Sequence, residues 1–88
     1  MVNYKSKIDD FYTSFIQRNA KCFSKQYERC IVEEYRNCLS KLFKIPSGHR
    51  WQFEEWYIIQ DYAFQLLVNA GFITEGSKKF YCKKLNNI

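Results

Sequence analysis

The stretch from Arg50 to Ala70 constrains this chain of 88 residues most, because it combines helical length with an unusually wide apolar surface. Drawn with 3.6 residues per turn, it is apolar over more than half of its circumference, whereas a surface helix ordinarily has an apolar stripe little wider than ~100°. The apolar positions are Phe53, Trp56, Tyr57, Ile59, Ala63, Phe64, Leu66, Leu67, Val68 and Ala70. We therefore predict a long central helix, closed by Gly71, that packs against two neighbours or against one neighbour and a partner.

The remaining face of the central helix is polar and largely acidic. Its positions are Glu54, Glu55, Asp61, Gln65 and Asn69. Trp51, Ile58 and Tyr62 fall in or beside this stripe, on the side that the core should not use. Large apolar groups ringed by charge are typical of interfaces; the alternative is that the first helix folds over them. We predict a protein-binding surface formed by Trp51, Glu54, Ile58, Asp61 and Tyr62.

The residues before the central helix predict two further helices. From about Lys7 to Asn19, apolar residues recur at the spacing of an amphipathic helix, with Ser6 as its N-cap. Its inner face is Ile8, Phe11, Tyr12, Phe15 and Ile16. After a break at 20–24, with Ser24 as a second N-cap, a helix from about Lys25 to Lys44 runs up to the only proline, Pro46. Its inner face is Tyr27, either Cys30 or Ile31, Tyr35, Cys38 and Leu42.

The end of the chain predicts a β-hairpin. Phe72–Thr74 and Lys79–Leu85 have the residue types of short strands, and a turn signal lies between them. In the second strand, Phe80 and Cys82 would turn to the core. The predicted fold is α+β and mostly helical, with three helices followed by a short C-terminal hairpin, in a single domain of residues 1–88.

One run of residues at this junction matches a known pattern. It consists of Leu66, Leu67, Ala70, Gly71, Phe72, Ile73, Gly76, Phe80, Tyr81 and Leu85. It resembles the recognition-helix end and wing of winged-helix regulators, in which a helix ending leucine-x-x-alanine-glycine is followed by a hairpin with a glycine at its tip. The resemblance implies a winged-helix-like fold, in which the loop 46–49 is the turn of a helix-turn-helix and His49, Arg50 and Gln52 lie at the recognition-helix tip.

A nucleic-acid-binding surface is therefore the alternative to the protein-binding one. On a strand, Lys79, Tyr81 and Lys83 would share one face, and an aromatic flanked by lysines can contact phosphates and stack on a base. The residues of this surface are Arg50, Lys78, Lys79, Tyr81, Lys83 and Lys84. Two arguments oppose it. The acidic stripe would be repelled by phosphates, whose neutralisation supplies most non-specific affinity, and lysines on an edge strand also serve to prevent aggregation.

The spacing of the cysteines argues against a metal site. The four are Cys22, Cys30, Cys38 and Cys82, whereas zinc sites ordinarily use close pairs such as C-x₂₋₄-C. Cys30 and Cys38 fall on one predicted helix at a separation of ~12 Å, beyond the ~7 Å reach of a disulfide. We expect free thiols, no metal and no cofactor.

No catalytic constellation accompanies the only histidine, His49. The sequence has no nucleophile elbow, no glycine-rich phosphate loop and no paired carboxylates in a predicted cleft. Glu54 and Glu55 are adjacent on a helix, so they point in different directions. We expect no enzymatic activity.

Charge and hydropathy limit the partners. The net charge of +5 permits nucleic acid or an anionic surface as partner without demanding either. No segment approaches the ~18 uninterrupted apolar residues of a membrane span, and the first residues lack the apolar run of a signal peptide. We expect a cytoplasmic protein with no membrane contact, whose cysteines stay reduced.

These observations predict a small non-enzymatic binding protein that docks on another protein. Inhibitors and accessory factors encoded by phages and viruses are often compact, aromatic-rich domains of this kind. The alternative is a winged-helix-like nucleic-acid-binding protein or transcription regulator that uses the basic hairpin, and a homodimer is a third arrangement.

Overall fold

A computed structural model of the chain describes residues 4–45 and 54–82, which form four α-helices and two short 3₁₀ turns. The α-helices are α1 (Tyr4–Arg18), α2 (Glu28–Leu42), α3 (Glu54–Asn69) and α4 (Glu75–Tyr81), and the 3₁₀ turns are Ala20–Cys22 and Lys25–Tyr27. These two ranges contain no β-strand, so the predicted α+β class is wrong and the described part of the chain is all-α. None of the helices in them has the length and apolarity needed to cross a membrane.

α1 confirms the amphipathic helix predicted near the start of the chain. Ile8 and Phe15 are fully buried. The other members of the predicted inner face pack against the core while partly buried: Phe11, Tyr12 and Ile16. The helix is already formed at Tyr4, so Ser6 lies inside it and the prediction that Ser6 is the N-cap is wrong.

α2 begins three residues later than predicted, because the second 3₁₀ turn precedes it. Ser24 stands before that turn and makes no side-chain capping bond, although its carbonyl oxygen accepts from the N–H of Tyr27 at 3.0 Å. Burial of Ile31 and Tyr35 confirms part of the predicted inner face, whereas Cys38 and Leu42 are only half-buried. The buried apolar residues of α2 are Ile31, Val32, Tyr35 and Leu39. Tyr27 and Cys30, both candidates for the inner face, are exposed.

A residue with left-handed backbone geometry follows the end of α2. Lys44 has a φ of 58°, and its N–H donates to the carbonyl oxygen of Lys41 at 3.1 Å. The N–H of Ile45 donates to the carbonyl oxygen of Ser40 at 2.9 Å. This is a Schellman motif, which satisfies carbonyl groups that the last turn leaves without helical partners. The helix thus ends at Leu42, and Pro46 lies outside the described residues.

α3 is the helix against which α1 and α4 pack, as its broad apolar surface predicts. Its buried apolar residues are Trp56, Ile59, Ala63, Phe64 and Leu67. Tyr35 of α2 lies at the centre of the core, where its ring is within 6 Å, centroid to centroid, of three other aromatic rings: Phe11, Phe15 and Phe64. Its hydroxyl donates to the carbonyl oxygen of Ala63 at 2.7 Å, which fixes α2 against α3.

Gly71 ends α3 as predicted. Its φ of 80° is left-handed, and its N–H donates to the carbonyl oxygen of Val68 at 2.9 Å. The N–H of Phe72 donates to the carbonyl oxygen of Leu67 at 3.0 Å, which completes a second Schellman motif. The turn directs Phe72 and Ile73 into the core. Residues 72–74 form no strand, so the prediction that they do is wrong.

Residues 75–81, predicted to form the hairpin turn and the start of a strand, form α4 instead. Thr74 is the N-cap, because its hydroxyl oxygen accepts from the N–H of Ser77 at 3.0 Å. Glu75 places negative charge in the first turn, and Lys78 and Lys79 place positive charge in the last, as the helix dipole favours. The wing that the winged-helix resemblance implies is therefore not formed in the described part of the chain; a helix takes its place.

Candidate functional site

The outward face of α3 carries the described residues of the predicted protein-binding surface. Ile58 lies on the side of the helix opposite the core and is 53% exposed. Glu54 and Glu55, one turn earlier, are exposed as well, at the end of the helix where the dipole favours carboxylates. Neither carboxylate forms an ion pair within residues 4–45 and 54–82. Trp51 lies outside the described residues.

Tyr62 belongs to this face but is partly covered by α1. Its hydroxyl donates to Oδ1 of Asp9 at 2.9 Å, and its ring meets that of Tyr4 edge-on at 6.2 Å. The ammonium of Lys5 lies 5.6 Å from the ring centroid, within reach of a cation–π interaction. The hydrogen bond to Asp9, followed by burial, raises the pKa of Tyr62. The alternative considered from the sequence, that the first helix folds over these rings, therefore describes Tyr62, whereas Ile58 stays exposed.

Asp61 links the acidic face to α4. Its carboxylate lies 3.0 Å from Nζ of Lys78, and the same amine donates to Oε1 of Gln65 at 2.7 Å. The side chain of Lys78 is only 13% exposed, so its amine is enclosed between the two helices. Lys78 thus holds α4 against α3 and is poorly placed to meet a phosphate.

The remaining residues of the alternative, nucleic-acid-binding surface do not form a single exposed face in the described part of the chain. Lys79 is exposed on α4. Tyr81 turns inward: its hydroxyl donates to Oε2 of Glu28 at 3.1 Å, and its carbonyl oxygen accepts from Arg36 at 2.6 Å. Burial, followed by the bond to Glu28, raises the pKa of Tyr81. The other three members lie outside the described residues: Arg50, Lys83 and Lys84.

Phe80 is a surface residue, contrary to the prediction that it faces the core. A strand would turn Phe80 to the core and Tyr81 outward, but the helix reverses both, and Phe80 is 62% exposed beside Lys79. The signal that would have found it is the helical spacing of Lys78, Tyr81 and Cys82, whose side chains face the other helices. Cys82 is buried in either arrangement, so the prediction that it joins the core is confirmed.

The four cysteines are free thiols, as predicted, but they occupy different environments. Cys22 and Cys30 are exposed. The thiol of Cys38 donates to Oε2 of Glu34 at 3.3 Å, and burial with this bond raises its pKa. Burial raises the pKa of Cys82 to about 12. A raised pKa reduces the thiolate fraction, so Cys38 and Cys82 are weak nucleophiles at neutral pH.

Nothing in the described ranges assembles a metal centre, since no three histidine, cysteine, aspartate or glutamate side chains there are placed to hold an ion together. His49 lies outside those ranges. Comparison of the chain with protein-family models, with curated proteins and with solved structures gives no significant match. Among the described residues the large exposed apolar side chains are Tyr27, Ile58 on the outward face of α3 and Phe80 on the outer face of α4.

Proposed function

We propose that this protein is a small, non-enzymatic docking domain that binds another protein through the outward face of α3. The observation that carries the proposal is the exposure of Ile58 on a face flanked by the carboxylates of Glu54, Glu55 and Asp61. Ile58 and the half-buried Tyr62 one turn later supply the apolar part of this face, and apolar surface rimmed by charged residues is typical of an interface. Full burial of an isoleucine side chain stabilises a complex by roughly 1.5–3 kcal/mol.

The surroundings of Ile58 support this role because they are held in place. On one side Tyr62 is bonded to Asp9 of α1, and on the other Asp61 is paired with Lys78 of α4. A partner would meet side chains that are already ordered, which reduces the entropy lost on binding. The carboxylates at the rim would then select the partner and speed its approach more than they add affinity.

A protein partner is favoured over nucleic acid by the fate of the lysines. Lys78 is enclosed and paired with a carboxylate, which leaves Lys79 as the exposed lysine of α4 in the described residues. Duplex DNA binding draws its affinity from several phosphate contacts, each of which releases counterions. The acidic outward face of α3 would oppose such contacts.

We place this activity in the cytoplasm and infer that it acts by occupancy, as that of an inhibitor or accessory factor does. The exposed, unbridged thiols of Cys22 and Cys30 support a reducing compartment, because exposed thiols in oxidising compartments tend to form disulfides. Occupancy alone is sufficient for such a role, since covering a partner's surface excludes its other ligands.

Affinity capture from cells of the source organism tests the proposal. The wild-type chain, Ile58→Asp and the matched control Tyr27→Asp are used as baits, each with and without nuclease. Tyr27 is also an exposed apolar residue, at 45%, but it precedes α2 and lies off the acidic face. We expect the captured partner to survive nuclease treatment and the control substitution, and to be lost with Ile58→Asp.

The partner so identified is then titrated with purified proteins. Ile58→Asp should raise the Kd at least ~10-fold, which corresponds to about 1.4 kcal/mol at a central anchor. Thermal melting of all three baits verifies that they fold. Capture that persists in Ile58→Asp, or that disappears on nuclease digestion, would overturn the assignment of this face to a protein partner.

A further inference from the structure

We propose that the chain also pairs with a second copy of itself, through a surface formed jointly by the outward faces of α3 and α4. This inference goes beyond the proposed function, because it uses residues of α4 that the docking face does not need. It rests on two exposed apolar side chains of neighbouring helices. Ile58 of α3 lies among acidic residues, and Phe80 of α4 lies among basic ones.

The face on α3 is apolar and acidic. Ile58 is its apolar centre, and Glu54 and Glu55 lie one turn away without ion-pair partners among the described residues. The helix dipole accounts for carboxylates in the first turn, but it does not account for an exposed isoleucine beside them. The face therefore offers one hydrophobic contact and two unneutralised charges to a basic, apolar surface.

The face on α4 is apolar and basic, and so has the matching chemistry. Phe80 is 62% exposed on the outer side of α4, with its ring edge-on to that of Tyr81 at 5.4 Å, whereas Lys78 contacts α3 and Tyr81 contacts α2. The neighbouring Lys79 is exposed, and no ion pair within residues 4–45 and 54–82 neutralises it. An exposed phenyl ring beside a free ammonium fits an acidic, apolar surface such as the one on α3.

The two faces lie on helices that pack against each other. Lys78 bridges the helices through its 3.0 Å ion pair with Asp61 and its 2.7 Å hydrogen bond to Gln65. Asp61 lies one turn after Ile58, and Lys78 lies two residues before Phe80, so the bridge joins the helix that carries Ile58 to the helix that carries Phe80. Adjacent patches of opposite charge are self-complementary under a twofold rotation, which brings each acidic face onto the basic face of the other copy.

A twofold pair satisfies both contacts at once. Ile58 of each copy would meet Phe80 of the other, and Glu55 would meet Lys79. Twofold dimers are the commonest closed assemblies, because a self-complementary patch is fully used in them. The few residues involved imply an interface at the small end of the range, below about 1,200 Å² in total, and hence a weak and salt-sensitive dimer.

Charge reversal tests this arrangement directly. Glu55→Lys and Lys79→Glu each place like charges across both contacts of the pair, so each variant alone should dimerise at least ~10-fold more weakly than wild type. In an equimolar mixture, the two reversed faces become complementary again. The mixture should therefore form a heterodimer of nearly wild-type strength, which neither variant forms by itself.

Sedimentation equilibrium of the purified full chain provides the measurement. Reducing agent is present throughout, because the exposed thiols of Cys22 and Cys30 would otherwise cross-link copies. Association should weaken at least ~10-fold between about 0.1 M and about 1 M salt, as the Debye length falls from ~10 to ~3 Å. Glu33→Lys and Lys21→Glu are matched controls, since they reverse exposed charges on other faces and should leave dimerisation unchanged.

Phe80→Ser serves as a second probe in case a charge reversal disturbs folding, and it should weaken dimerisation at least ~10-fold. Several results would overturn the inference: a chain that stays monomeric at about 1 mM, a dimer that neither reversal weakens, a mixture that fails to restore association, or assemblies larger than dimers.

The test also separates this inference from the docking function. Dimerisation is measured on the purified chain alone, whereas docking is measured by partner capture. Phe80→Ser should abolish the dimer and retain the captured partner, while Ile58→Asp should abolish both. A monomeric wild-type chain that still captures its partner would overturn the dimer and leave the docking face standing.

Discussion

Single side chains tie α1, α2 and α4 to α3. The hydroxyl of Tyr35 joins α2 to α3, the amine of Lys78 joins α4 to α3, and the hydroxyl of Tyr62 joins α3 to α1. A neutral hydrogen bond such as that of Tyr35 contributes only about 1 kcal/mol net, and one to a charged group about 1.5–3 kcal/mol, because bonds to water are given up when it forms. Burial of the aromatic rings around these bonds supplies more of the stability, and the bonds chiefly fix how the helices are oriented.

Two glycines provide a matched pair of predictions at this scale. Gly71→Ala should lower the free energy of unfolding by roughly 1–2 kcal/mol, because a Cβ disfavours the left-handed φ of 80°, although space for it is open. Gly76→Ala should raise the free energy of unfolding by roughly 0.5–1 kcal/mol, because Gly76 lies inside α4 and a Cβ there makes only ordinary contact. Urea denaturation of both variants measures the difference; opposite signs are expected.

The two glycine variants also discriminate between α4 and a hairpin at the same place. The hairpin is the structure that the alternation of residue types predicts there. At the tip of a hairpin, Gly76 would favour a positive φ and alanine would destabilise it. A loss of stability in Gly76→Ala would therefore contradict α4.

For Lys44 we predict that substitution by glycine stabilises the protein. It occupies the left-handed position after α2 that Gly71 occupies after α3, so it carries a Cβ where the backbone favours glycine. Lys44→Gly should raise the melting temperature, by an amount equivalent to about 1 kcal/mol. The nearby exposed substitution Lys41→Gly, inside α2, serves as the control and should lower it by a similar amount. Equal effects from both would show that the left-handed φ stores no strain.

At the scale of elements, α4 is the helix least able to form alone. Its seven residues are well below the ~12–15 at which an isolated helix becomes marginally stable in water. It therefore depends on its N-cap and on the packing of Tyr81 and Cys82 against the other helices.

Two substitutions of Thr74 test the N-cap of α4. Thr74→Ala removes the oxygen that accepts from the N–H of Ser77, and should cost about 1 kcal/mol of stability. Thr74→Ser keeps that oxygen and should lie within a few tenths of a kcal/mol of wild type. Chemical denaturation gives both values, and hydrogen exchange at residues 77–82 should show local opening in Thr74→Ala alone. Indistinguishable variants would refute the cap.

At the scale of the whole molecule, the buried hydroxyl of Tyr35 and the buried thiol of Cys82 make the free energy of unfolding fall at high pH. Burial raises the pKa of Tyr35 well above its ordinary range and that of Cys82 to about 12. In the unfolded chain these groups titrate near ~10 and ~8.5. Above those values the unfolded state loses protons that the folded state retains, so the free energy of unfolding falls as pH rises.

The expected alkaline limb has two parts. Stability should be fully present below about pH 8.5. It should then decline as Cys82 and Cys38 titrate, with a slope of up to ~1.4 kcal/mol per pH unit from Cys82. Above about pH 10 the decline should be steeper, because the raised pKa of Tyr35 adds its share together with those of Tyr62 and Tyr81. Urea denaturation between pH 7 and 11 measures this. Cys82→Ala should flatten the first part and Tyr35→Phe the second, whatever each does at neutral pH. A stability that stays constant to pH 11 would contradict these pKa shifts.

The sequence by itself determined the features that depend on a few neighbouring residues. The spacing of Ile8 and Phe15 gave α1 its buried face, and the breadth of the apolar surface of α3 gave it its place among the other helices. Gly71 ended α3 because a left-handed turn favours glycine wherever it occurs. In each case one local physical cause pointed to one outcome.

Tertiary structure decided the features for which the local sequence favoured two structures about equally. Residues 78–82 suit a strand by residue type and a helix by spacing, and the helix prevails because it packs Tyr81 against the core while Lys78 reaches Asp61. The choice also settles which residue faces water: Phe80 in place of Tyr81. The exposure of Ile58 beside a partly covered Tyr62 likewise depends on where α1 comes to lie. No short stretch of sequence contains that information, because it arises from contacts between residues more than fifty positions apart, such as Asp9 and Tyr62.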